Sequence, residues 1–251
     1  MAVPAASQPA GYPARHERSP ALEHLIPLWV KLAYTLFLCV VVPAYWIHWG
    51  PRNFLWFSDI ALLATAAALW LESARLASMM TLAIALPELV WNADFFGRIL
   101  TGRHLFGLSA YMFDARKPLP LRGLSLFHVV LPVVLIWMVH RLGYDPRAWI
   151  WQTVVALVVL PVTYGVTDPA DNVNWVYGPG SRAQTWISPR AYLAAVMVFF
   201  PLVVYLPTHL LLRALMPAAS RPPAVAGETP WHAISPQSDA SCSPPVPGSD
   251  A

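Results

Sequence analysis

Long apolar stretches bounded by polar or turn-forming residues dominate the sequence. They cover positions 25–49, 53–73, 76–96, 124–142, 148–166 and 191–215. A helix rises about 1.5 Å per residue, so roughly 20 apolar residues cross about 30 Å of hydrocarbon. The pattern predicts an all-α protein, a six-helix transmembrane bundle. Helices are required because lipid offers no partner to free backbone groups. Gly50, Pro51 and Arg52 link the first two stretches as a tight hairpin, and Gly143 with Asp145-Pro146 marks the short turn between the fourth and fifth.

Two connections are longer. Positions 97–123 mix Phe106, Tyr111 and Phe113 with Arg98, Arg103, Arg116 and Lys117, a composition suited to the headgroup layer and to a lid there. Positions 167–190 are dense in turn residues, with Trp175, Tyr177 and Trp186 as interface anchors. Positions 1–24 and 217–251 are rich in Pro, Ser and Ala and read as disordered tails.

Composition strengthens this picture. The chain of 251 residues is 57% apolar and only 12% charged, with a mean hydropathy of +0.50. A soluble domain carries about 25% charged residues, so a soluble enzyme is excluded. The net charge of +3 reads as interfacial anchoring rather than a nucleic-acid footprint, and membrane lipids are the expected partners. Cys39 and Cys242 make no disulfide framework. Six spans put both tails on one side, and the 16 Lys and Arg then divide evenly between the two faces, so charge sets no orientation. A bacterial cytoplasmic membrane is the expected location. The oligomeric state is not encoded in any visible pattern.

Polar groups gather at one membrane face, opposite the tails. His48 ends the first stretch there, and Ser58 and Asp59 open the second. Glu88 and Asn92 approach that face along the third, and His128 starts the fourth. Tyr164, Asp168, Asp171, Asn172 and Asn174 follow at the exit of the fifth. Ser58 with His128 is the sharpest pairing: a hydroxyl nucleophile, an imidazole base, and Asp59, Glu88 or Asp168 as the carboxylate that orients the ring, with Asp59 and Glu88 foremost. The competing view is a serine bonded to its own helix and a satisfied interfacial histidine. His48, Asn92, Tyr164, Asp168, Asp171, Asn172 and Asn174 are the candidate substrate contacts, although Asx turn chemistry accounts for part of that last run. Imidazole and carboxylate ligands are available, but no metal-binding spacing occurs, so neither a metal nor another cofactor is expected. Pro132 leaves the carbonyl of His128 without its usual helical donor.

The stretch HWGPRNFLWFSDIALL resembles the helix-start signature of a group of bacterial integral membrane proteins, and NVNWVYGPG resembles their Asn-aromatic turn. That group is distantly similar to eukaryotic intramembrane acyltransferases and fatty-acid-ester hydrolases. The resemblance implies a nucleophile at Ser58, where Ser stands in place of Cys or Thr, and a catalytic histidine at His128. It covers about thirty of the 251 residues. The reading that follows is a lipid acyl-ester hydrolase or acyltransferase. The alternatives are binding or transport of a small solute or proton without covalent chemistry, and an accessory membrane subunit.

Overall fold

A computed structural model describes residues 25–180 and 182–219. The two predicted tails lie outside these residues except for 217–219. The described chain is helical, and the only β contact among the described residues is an isolated bridge between Tyr144 and Ala218. The principal helices are α1 (Leu28–Trp49), α2 (Phe57–Trp70), α3 (Ala74–Thr101), α4 (Leu119–Leu124), α5 (Phe127–Leu142), α6 (Ala148–Val166), α7 (Pro189–Phe199) and α8 (Leu206–Leu215). A π-helical segment, Phe200–Tyr205, joins α7 to α8 into one rod, and α4 runs into α5 with a bend at Ser125–Leu126.

Five of the rods are long and apolar enough to cross a membrane: Leu28–Trp49, Ala74–Thr101, Leu119–Leu142, Ala148–Val166 and Pro189–Leu215. The second predicted stretch behaves differently. Its helix has 14 residues, about 21 Å of rise, and a separate 3-10 turn at Pro51–Leu55 precedes it. The start of α2 therefore lies inside the stretch predicted as continuous, and it carries Ser58 and Asp59 in its first turn.

Helix α3 is the axis of the bundle. Residues 77–84 are buried without interruption, so that stretch is enclosed on all sides, and α3 packs against α2, α5, α6 and the π-helical segment. By contrast, α1 buries only Lys31, Val41 and Tyr45. Its many exposed Leu, Val and Trp side chains form part of the surface that lipid covers. Gly143 ends α5 with φ +83, and a Cβ there would lie 2.4 Å from the Ala219 Cα. The close approach lets Tyr144 N–H donate to the Pro217 carbonyl and its own carbonyl accept from Ala219 N–H.

The long connection at 97–123 is built rather than draped. Helix α3 continues to Thr101, and α4 begins at Leu119. Between them, the fully buried Asp94 carboxylate accepts from the N–H groups of Phe106, Gly107 and Ser109 and from the Ser109 hydroxyl, with His104 Nδ1 at 3.3 Å. One side chain thus fixes the loop against the helix it leaves.

At the opposite end of the bundle, Glu72 closes the turn between α2 and α3. It takes Lys31 Nζ at 2.7 Å and the N–H groups of Leu25 and Ile26. Burial works against ionisation of its carboxyl, but the hydrogen bonds from Lys31 and these two N–H groups outweigh it and hold the pKa below the usual 4.5. A lowered folded-state pKa stabilises the fold above the unfolded value and ceases to do so as pH falls through the folded value. Thermal unfolding in detergent should therefore show a stability loss below about pH 4.5 that is smaller in Glu72→Gln. Equal acid sensitivity in both proteins would contradict this account.

Candidate functional site

The polar groups at the loop-bearing end of the bundle meet around a cavity of about 720 Å³. Helix α2 contributes Ser58 and Asp59 in its first turn, and α3 contributes Glu88 and Trp91. The α4–α5 bend contributes Ser125 and His128. Its wall also includes Tyr45 of α1, Tyr111 of the interhelical loop, and Asp171 and Asn174 of the turn after α6.

His128 is the most constrained of these residues. Its Nδ1 lies 2.8 and 3.0 Å from the two carboxylate oxygens of Glu88. The imidazole is stacked between Trp91, at 4.7 Å between ring centroids, and Phe127, at 4.1 Å. A carboxylate at Nδ1 places the proton there and leaves Nε2 as the basic nitrogen. Among the described residues, Nε2 has no hydrogen-bond partner. Glu88 itself is 3% exposed, so this charge-assisted contact gives a buried carboxyl its partner.

Backbone chemistry holds the same residues from behind. The His128 carbonyl that Pro132 deprives of a donor accepts from Asn92 Nδ2 at 2.9 Å, and the same amide nitrogen reaches the Glu88 carbonyl at 2.8 Å. Asn92, expected as a substrate contact, is thus a brace that ties α3 to α5 directly behind the Glu88–His128 pair. It does not line the cavity.

The start of α2 is braced from a distance. Asn174 Oδ1 accepts from the Phe57 N–H at 2.9 Å, and its Nδ2 donates to the Leu55 carbonyl at 2.7 Å. Three nearby non-glycine residues take left-handed backbone angles to make this possible: Asn172 (φ 41), Asn174 (φ 53) and Trp175 (φ 56). Such conformations cost energy and persist where surrounding contacts enforce them. Asn172 supplies that enforcement by accepting from Tyr177 N–H and donating to the Gly178 and Gly180 carbonyls.

The remaining expected residues separate cleanly. Ser58 and Asp59 line the cavity with Glu88 and His128, but no hydrogen bond joins Ser58 to His128. Asp59 is bonded by Asn53 at 3.2 Å through Oδ2. Asp171 and Asn174 also reach the cavity. His48 does not: it is exposed and bonds the Ala44 carbonyl of its own helix at 2.8 Å. Tyr164 packs on Tyr177 with ring centroids 4.9 Å apart, and Asp168 caps its own turn through the Ala170 N–H. Neither of these lines the cavity, and nor does Asn172.

Several participants lie outside the sequence-based expectation. Tyr45, at the end of an apolar run, pairs its hydroxyl with Ser125 Oγ at 2.6 Å inside the cavity wall. Nearer the tail side, Tyr144 meets His209 at 2.7 Å and Gln152 reaches Tyr205 at 3.4 Å, all four side chains being buried. Gln152, in the second turn of the fifth apolar stretch, was the available signal for its pairing with Tyr205. No group of three or more His, Cys, Asp or Glu side chains that could hold a metal ion occurs among the described residues.

No protein-family model matches the chain, and neither a curated protein nor a solved structure does so.

The Asn92 brace gives a direct test of this geometry. Asn92→Ala leaves the His128 carbonyl without a donor and should cost about 1–3 kcal/mol of stability. Pro132→Ala restores a helical N–H to that carbonyl and should recover part of the loss in the Asn92→Ala background. Thermal unfolding of the single and double variants measures both effects. A double variant no more stable than Asn92→Ala would refute the assigned role.

Proposed function

We propose that the protein is an integral membrane enzyme that cleaves or transfers the acyl group of a lipid ester, with His128 as its base. The observation that carries this reading is the Glu88–His128 pair: an imidazole fixed at Nδ1, flanked by two rings, with Nε2 unengaged among the described residues, in the wall of a large cavity. The carboxylate sets the tautomer and stabilises the imidazolium that forms on protonation. Apolar and polar side chains share that wall, as an amphiphile requires. The stretch HWGPRNFLWFSDIALL resembles a group of bacterial membrane proteins that is itself distantly similar to intramembrane acyltransferases and fatty-acid-ester hydrolases, which agrees with this reading.

In this mechanism Ser58 Oγ attacks the ester carbonyl carbon while its proton passes to His128 Nε2. Collapse of the tetrahedral adduct breaks the bond to the alcohol oxygen, which leaves with the proton returned by the imidazolium. Water, or the hydroxyl of a second lipid, then takes the acyl group from Ser58 by the reverse proton transfers. Ser58 lines the cavity, and its hydroxyl has no hydrogen-bond partner among the described residues. The step needs Ser58 and Nε2 within about 2.6–3.2 Å once substrate is bound, a contact that apo sites commonly lack.

A fluorophosphonate probe should label the protein in membranes at Ser58. His128→Ala should slow labelling and ester turnover by about 10²–10⁴-fold, as expected for loss of a general base. Glu88→Gln should also slow both strongly, because a neutral amide neither fixes the Nδ1 proton nor stabilises the imidazolium. Labelling of Ser58→Ala as rapid as that of the wild type would overturn the mechanism.

A further inference from the structure

Asp59 is the one deeply buried carboxyl in the cavity wall that this mechanism leaves without a task. It is 4% exposed. Its Oδ2 has only the neutral amide of Asn53, its Oδ1 has no hydrogen-bond partner, and no ion pair reaches it among the described residues. Glu88, the other buried carboxylate there, is already engaged by His128. A buried carboxylate without a compensating charge is strongly unfavourable unless something else supplies one. Among the described residues, then, no charge compensates an ionised Asp59.

The surrounding wall narrows what would supply that charge. Tyr45, Trp49, Trp56, Trp91, Tyr111 and Trp175 all line the same cavity. Indole and phenol rings attract cations through their electron-rich faces, and together with a carboxylate they recognise organic ammonium groups. Lys117, with Nζ 4.2 Å from the Trp49 ring centroid, already makes such a contact at the rim. The exposed Arg52 lines the same cavity, and neither it nor Lys117 makes an ion pair with the buried Asp59. An inorganic cation is a poor match for a wall of rings with one free carboxyl.

We propose that the cavity takes an amphiphile whose polar head carries an ammonium group, seated on Asp59 among these rings. The inference deepens the acyl-ester reading, naming the substrate as an acyl ester of an amino alcohol, with the ammonium at Asp59 and the ester toward His128. The ammonium seat itself uses neither Ser58 nor His128.

The test uses two ester-free probes, so that it measures binding without turnover. One is the dodecyl ether of choline. The other is its 3,3-dimethylbutyl carbon isostere, of equal shape and no charge. Binding to the full chain in maltoside detergent is followed by tryptophan fluorescence, since four of the six rings named above are indoles. The cationic probe should bind the wild type at least about tenfold more tightly than the neutral one. Asp59→Asn should remove most of that preference, leaving only what the rings supply, and Asp59→Glu should retain most of it. Ser58→Ala should keep the full preference while losing fluorophosphonate labelling, which separates failure of the seat from failure of the mechanism. Equal affinity of the two probes for the wild type would overturn the proposal whether or not the Asp59 variants fold. A preference undiminished in Asp59→Asn would do the same.

Discussion

In hydrocarbon a polar group cannot fall back on water, so each must find its partner within the protein. This constraint explains most of the specific contacts in the bundle. Pro132 bends the start of α5 and frees one carbonyl, and Asn92 reaches across from α3 to occupy it. Asp94, fully buried near the end of α3, is met by three backbone N–H groups and a serine hydroxyl of the following loop. The N–H of Phe57 at the head of α2 is met by Asn174. Each of these contacts ties one element to another, so satisfying the polar groups also sets the positions of the helices.

The cavity follows from that arrangement. Helix α2 is too short to fill the bundle from end to end, and its first turn begins well inside the second apolar stretch. The Pro51–Leu55 turn and the strained Asn172–Trp175 segment close around it from two sides. Ser58 and Asp59 consequently lie in the wall of a hollow, to which α3 and the head of α5 also supply Glu88 and His128. Left-handed residues at Asn174 and Trp175 are tolerated because the Asn174 amide gains two backbone partners.

The His128 environment combines three constraints of different kinds. A carboxylate fixes one ring nitrogen, two aromatic rings fix the plane, and a side-chain amide fixes the backbone behind it. A merely accommodated histidine needs none of this convergence, whereas a base that must hold one tautomer benefits from all of it. Asp59 presents the opposite situation in the same cavity, with one oxygen weakly held and the other unmet. That contrast is why the proposed reading gives proton transfer to one residue and ligand contact to the other.

Hydropathy along the chain determined the membrane class and five of the helical rods, because burial in lipid selects for length and apolarity that are visible locally. It also located the face on which polar groups gather, and proline stereochemistry alone identified the His128 carbonyl as needing a donor. Only the tertiary structure decided which groups meet. Glu88 and His128 are 40 residues apart, and Phe57 and Asn174 are 117 apart. The sequence offered Asp59 and Glu88 equally as partners for the imidazole, and it offered Asn92 as a ligand contact rather than a brace. Side-chain pairing depends on helix rotation and on where each rod begins, and neither is set by local composition. The early start predicted for α2 shows the same limit: hydropathy marks which residues lipid or protein can bury, but a helix begins where its first N–H groups find acceptors.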